Sequence, residues 1–238
     1  MAKSNREFGE GPIHTITNYI FWFFLGNFYF CLLNIPLIFV LIVILSNGGV
    51  PIPPWFISII ILSCIPIGPA ATALLSVMGK LIREKDLSVT KDFFKAYKAN
   101  FFQSLFFWTL EVLIISILFI DTRFFISNNY PGIMTNIIFI IIVFIFLVSL
   151  YVYPIISRFY LNWKDILKTA VYYTIKKFHI TILNFASFLV VGFILYKVSN
   201  FVLLFMASAI CYLLMFYQQK ILLEIENKLK KNTENIQE

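Results

Sequence analysis

Charge is scarce in this chain. Only 13% of its 238 residues are Asp, Glu, Lys or Arg, against roughly 25% in an ordinary soluble domain. Apolar residues make up 60% and the mean hydropathy is +0.87. A soluble globule of this length has too few polar side chains here to cover its surface. Lipid as solvent removes that conflict. Acidic residues are scarcer still, 12 against 19 Lys and Arg. The resulting +7 does not read as a nucleic-acid footprint, because the cations lie in short segments between apolar runs. Histidine is limited to His14 and His179, and cysteine to Cys31, Cys64 and Cys211. None of these has CxxC or Cys/His spacing, so no metal centre is expected. Nine glycines are too few and too scattered for a phosphate cradle. P-loop, GxSxG and HExxH signatures are missing. No enzyme and no cofactor is expected. The first apolar run is too long for a signal-peptide core and has no small-residue cleavage site after it, so it reads as a retained helix.

What the chain does have is long apolar runs. A span needs about 20 apolar residues. Runs at about 19–45, 55–79, 101–120 and 133–154 supply four, with an uncharged, breaker-rich turn at 46–54 and a polar loop at 121–132. The last run, 180–217, would form a helix of roughly 57 Å at about 1.5 Å per residue. That is nearly twice the hydrocarbon thickness of about 30 Å. It therefore reads as two spans, 180–196 and 200–217, turning at Lys197, with one long tilted helix and five spans in all as the alternative. The expected fold is all-α: one membrane domain over 1–218 with six transmembrane helices in a bundle, followed by a charged tail over 219–238.

Cations orient the bundle. With six spans, all the Lys and Arg except Arg123 and Lys197 fall on one side. The positive-inside rule makes that side cytoplasmic and puts both termini there. A bacterial plasma-membrane location follows as the expectation. Two connections on this side are themselves periodic. In 88–100, Val89, Phe93, Tyr97 and Phe101 share one face, with Lys91, Lys95 and Lys98 elsewhere and Ser88 or Thr90 as cap. In 162–177, Ile166, Leu167, Ala170, Val171 and Tyr173 are apolar beside Lys164 and Lys168. Lys91-Asp92 and Lys164-Asp165 begin matching five-residue stretches. Both segments read as amphipathic helices against anionic headgroups, or as cytoplasmic extensions of the spans. Lys91, Asp92, Lys95, Lys98, Lys164, Asp165 and Lys168 are thus candidate lipid or partner contacts.

Polar residues inside the spans are the other candidates. Glu111 is the acidic residue deep in a span, where an ionised side chain costs about 2.5–3.5 kcal/mol on insertion scales. It reads as a proton or substrate site, or as a structural polar contact. Pro66 and Pro69, with Gly68 between them, break the second run, and the freed carbonyls need partners. Such a break forms binding sites in some transporters; the plainer reading is a packing kink with small residues after it. Asn27, Asn34 and Asn184 read as interhelical polar contacts, and Trp22, Trp55, Trp108 and Trp163 as interfacial belt residues.

Two motifs carry a resemblance. Gly68-Pro69-Ala70-Ala71-Thr72-Ala73 leads into Lys80-Leu81-Ile82-Arg83, and Asp92-Phe93-Phe94-Lys95-Ala96-Tyr97 continues to Ser104. Together they resemble the YesL-like family of bacterial membrane proteins, a domain of unknown function. Asn27 also fits its N-terminal pattern. The resemblance covers about residues 15–125, and the turn from Gly48 to Pro54 is longer than the family's. It implies an association with carbohydrate uptake, since members are often encoded beside sugar-binding proteins and ABC permeases. The expectation is a non-catalytic accessory component with ABC sugar-transporter subunits as partners. The chain lacks the acidic-Ala-Ala loop by which a permease engages its ATPase. The alternative is a small independent transporter or channel using the kinked second span and Glu111.

Overall fold

The computed structural model describes residues 12–48, 53–84, 87–197 and 203–237. Nine helices are seen among them: α1 (Pro12–Leu33), α2 (Ile35–Ser46), α3 (Phe56–Cys64), α4 (Ile67–Glu84), α5 (Val89–Ser127), α6 (Gly132–Arg158), α7 (Trp163–Lys176), α8 (Phe178–Lys197) and α9 (Met206–Gln237). No strand occurs among the described residues. Five stretches are long and apolar enough to cross a membrane: Thr15–Leu33, Phe56–Glu84, Val89–Ser127, Gly132–Arg158 and Met206–Lys231. A sixth arises if α7 and α8, bent by 94° at their junction, count as one. This construction is consistent with a polytopic membrane protein.

The helix α4 is the centre of the bundle. It packs against α1, α5, α6 and α9. Gly68, Pro69, Ala70, Thr72, Ala73, Leu74, Leu75, Val77 and Met78 are all buried. Small residues in its first turns let neighbouring backbones approach closely. By contrast α2, α3 and the outer half of α5 leave Phe39, Ile42, Leu45, Leu62, Ile117 and Phe119 exposed. Exposed apolar side chains in such number are what a lipid-facing surface requires.

Several boundaries differ from the sequence expectation. The first run, 19–45, is not one helix: it breaks at Asn34. Pro36 lacks a backbone donor, and the Asn34 amide donates back to the Phe30 carbonyl at 2.8 Å. The loop expected over 121–132 is much shorter, because α5 continues to Ser127. Asp121 and Arg123 lie on that helix, and Arg123 rests over the Phe119 ring. The charged tail over 219–238 is not separate either. It prolongs α9, and Ile221, Leu222 and Ile225 are buried in the core. A period of three to four apolar residues inside a charged sequence accounts for this. The turns expected at 46–54 and 196–200 fall partly outside the described residues, as do Lys3, Arg6 and Lys85.

The two segments read as a matched pair are built differently. Residues 89–100 form the start of the continuous α5, which makes them an extension of the span. Val89 and Phe93 are buried, while Tyr97 and Phe101 are half-buried. Ser88 precedes the helix without a side-chain cap bond, and Thr90 bonds Tyr29 at 2.8 Å instead. In contrast, α7 stands apart from α8 across the 94° bend. It buries Ile166, Ala170, Tyr173 and Thr174 and leaves Lys164, Asp165 and Lys168 exposed.

Candidate functional site

The break in the second span is filled from α5. Pro66 and Pro69 remove two donors, and α3 stops at Cys64. The Trp108 indole Nε1 donates to the Cys64 carbonyl at 2.7 Å. Gly68 makes this possible: a Cβ there would lie 2.3 Å from Trp108 Cβ. Thr72 Oγ1 donates to the Gly68 carbonyl at 2.9 Å. The break is therefore closed by a side chain and tight packing. Trp108 is not an interfacial belt residue, as the sequence suggested, but part of this closure.

Glu111 lies one turn further along α5. It accepts a hydrogen bond from the Tyr153 hydroxyl at 2.5 Å. Tyr153 is buried and its ring lies 6.0 Å from that of Trp108. Gly68, Trp108, Tyr153 and Glu111 thus form one chain of contacts from α4 through α5 to α6. Gly68, Trp108 and Tyr153 line a central cavity of about 320 Å³, closed on other sides by residues such as Phe30, Phe188 and Leu214. Glu111 instead lines a neighbouring cavity of about 220 Å³, with Phe107, Val148 and Leu167. Ser149 borders both. Both cavities are walled almost wholly by apolar groups.

Asn27 is not part of this chain. Its amide donates to the Leu203 carbonyl and accepts from the Ala207 N–H, both at 3.0 Å. It tethers the start of α9 to α1, next to Ser208, whose hydroxyl donates to the Phe23 carbonyl at 2.8 Å. The Asn184 side chain, expected to bridge helices, is fully buried without a hydrogen-bond partner among the described residues. Gln218 donates to the Leu150 carbonyl at 2.8 Å, a contact the sequence did not reveal. Its Oε1 has no partner among the described residues.

At the basic end, the sequence candidates separate into two groups. Asp92 is held by Lys80, whose Nζ donates to its two oxygens at 3.0 and 2.9 Å, and accepts the Ser88 N–H at 3.2 Å. Lys91, Lys95 and Lys98 are exposed around it. Lys164, Asp165 and Lys168 are exposed on α7. Arg158 and Glu226 form a 2.6 Å ion pair joining α6 to α9. Lys228 reaches both Glu224 at 3.1 Å and the Tyr173 hydroxyl at 3.2 Å, joining α9 to α7. No His/Cys/Asp/Glu group that could hold a metal ion is found among the described residues.

Residues 15–122 match the family described as "Protein of unknown function, DUF624". The matched stretch runs from α1 through most of α5. It contains Asn27, Gly68, Pro69, Trp108 and Glu111, and stops before Tyr153. No curated protein and no solved structure matches the chain.

Proposed function

We propose that this chain is a non-catalytic accessory membrane protein of a bacterial carbohydrate-uptake system, with both termini in the cytoplasm. The observation that carries the accessory role is the state of the broken span. The Cys64 carbonyl at the break accepts the Trp108 indole N–H, and the central cavity beside it is apolar. A sugar site needs several convergent hydrogen-bonding groups, and this cavity does not supply them. The carbohydrate setting rests on the resemblance to YesL-like proteins. The exposed Lys91, Lys95 and Lys98 of α5 and Lys164, Asp165 and Lys168 of α7 offer contacts to a partner or to headgroups.

The test is affinity purification of the tagged full chain from its native membrane after mild cross-linking. Co-purification of an ABC permease or its sugar-binding subunit is the expected result. Recovery of the chain free of any transporter subunit overturns the reading. One observation favours the rival, a small independent transporter or channel. Glu111 and Tyr153 sit between two cavities. Sugar or proton flux into proteoliposomes holding the chain alone, abolished by Glu111→Gln, would establish that rival.

A further inference from the structure

A polar recess lies away from the cavities just described, at the basic end between α4, α5 and α6. It encloses about 300 Å³, and its walls carry Lys80, Arg83, Asp92, Lys95, Arg158 and Tyr160. Four cations from three helices converge on one cleft. The neighbouring carboxylates offset only part of this charge. Asp92 is taken by Lys80 at 2.9 Å. Glu84 sits 3.7 Å from the same lysine. Glu226 is shared between Arg158 at 2.6 Å and Lys230 at 3.2 Å. Five cations thus face three carboxylates.

The uncompensated charge is placed where a ligand can reach it. Arg83 and Lys95 form no ion pair among the described residues, and both are exposed. Arg83 also lies within electrostatic range of Arg158, which repels it, and of Glu84 and Glu226, which attract it; the Arg158 side chain is held at 11% exposure. Two guanidinium groups lining one cleft are stabilised by an anion between them, and a guanidinium fork matches phosphate oxygens. Lys80 and Arg158 are anchored by their carboxylates, so the cleft is organised before any ligand arrives. Its depth fits the same chemistry. The lining residues lie just beyond the apolar stretches of α4, α5 and α6. In a bilayer crossed by these helices they stand at headgroup level.

We propose that this cleft binds a phosphate group, contributed by an anionic lipid headgroup or by a soluble phosphomonoester. This assignment does not depend on the carbohydrate reading; it depends only on the cleft.

The test uses the purified full chain in detergent and native mass spectrometry. Affinities are compared for phosphatidylglycerol and phosphatidylcholine, with sn-glycerol 3-phosphate as the soluble probe. Each basic residue near an anionic headgroup contributes about 1 kcal/mol, so removing two predicts about a tenfold loss or more. The double variant Arg83→Gln/Lys95→Gln is expected to lose at least that much phosphatidylglycerol affinity. A charge-matched control, Lys164→Gln/Lys168→Gln on α7, is expected to stay within about twofold. Displacement of the lipid by glycerol 3-phosphate identifies a soluble source, and its failure to displace identifies the headgroup. Equal losses in both double variants reduce the effect to general surface charge and overturn the proposal. So does an unchanged affinity in the cleft variant. Should the double variant melt early, Lys95→Glu alone carries the same test: an unaltered affinity there overturns it.

Discussion

The Trp108 indole on α5 donates a hydrogen bond to the carbonyl of Cys64, the last residue of α3, at 2.7 Å. This bond ties the end of α3, the first half of the broken second span, to α5. Its geometry requires a glycine at position 68, because any Cβ there would overlap Trp108. Gly68→Ala is therefore expected to cost about 1–3 kcal/mol by overpacking. Trp108→Phe keeps an aromatic ring and leaves the carbonyl without its donor, at a cost of about 1–2 kcal/mol inside a membrane. Melting of the detergent-solubilised protein reads both. Wild-type melting in each variant contradicts the account of the kink.

Glu111 and Tyr153 separate a structural from a chemical role. Glu111→Gln retains an acceptor for the Tyr153 hydroxyl, so stability is expected to stay within about 1 kcal/mol of the parent. Tyr153→Phe removes the donor and leaves the carboxyl group against apolar walls, costing about 1–3 kcal/mol. Unfolding measured on both variants decides the order. A larger loss in Glu111→Gln than in Tyr153→Phe contradicts the hydrogen-bonding role given to the pair.

Asn27 links two helices distant in sequence. Asn27→Leu preserves volume while removing the donor to Leu203 and the acceptor from Ala207. Two backbone groups then lose their partner, for an expected cost of about 1–3 kcal/mol. Loosening at the start of α9 is expected with it, visible as faster amide exchange around Ala207. Unchanged exchange there contradicts the tether.

The last charged stretch belongs to the core. Leu222 is 1% exposed, and Leu222→Ala is expected to cost about 2–5 kcal/mol. Lys220→Ala, on the exposed side of the same helix, is expected to change stability by less than about 0.5 kcal/mol. Equal melting of the two variants contradicts the packing of α9.

Composition and run length were enough to read helices long and apolar enough to cross a membrane, which is what the described residues form, because apolar excess has few other outlets. They were also enough to find the break at Gly68 and Pro69, since proline acts locally. The partner of that break was not readable. Trp108 lies more than forty positions away, and an interfacial belt was the simpler reading of a tryptophan near a span end. The basic cleft escaped for a similar reason. Lys80, Arg83 and Lys95 stood among many cations between the apolar runs, and only the packing of α4, α5 and α6 brings Arg158 to them. The parallel between Lys91-Asp92 and Lys164-Asp165 was visible but misleading. Asp92 is ion-paired on a continuous helix, whereas Asp165 is exposed on one set off by a sharp bend.

The proposed arrangement is a six-span bundle whose charged end faces the cytoplasm. Single-cysteine labelling tests this directly, in a background with Cys31, Cys64 and Cys211 replaced by Ala. Asn129→Cys probes the α5–α6 turn and Lys231→Cys probes the end of α9. An impermeant maleimide added to intact cells is expected to label Asn129→Cys, and to reach Lys231→Cys only after permeabilisation. Labelling of Lys231→Cys in intact cells would contradict the six-span arrangement and the cytoplasmic placement of the basic cleft together.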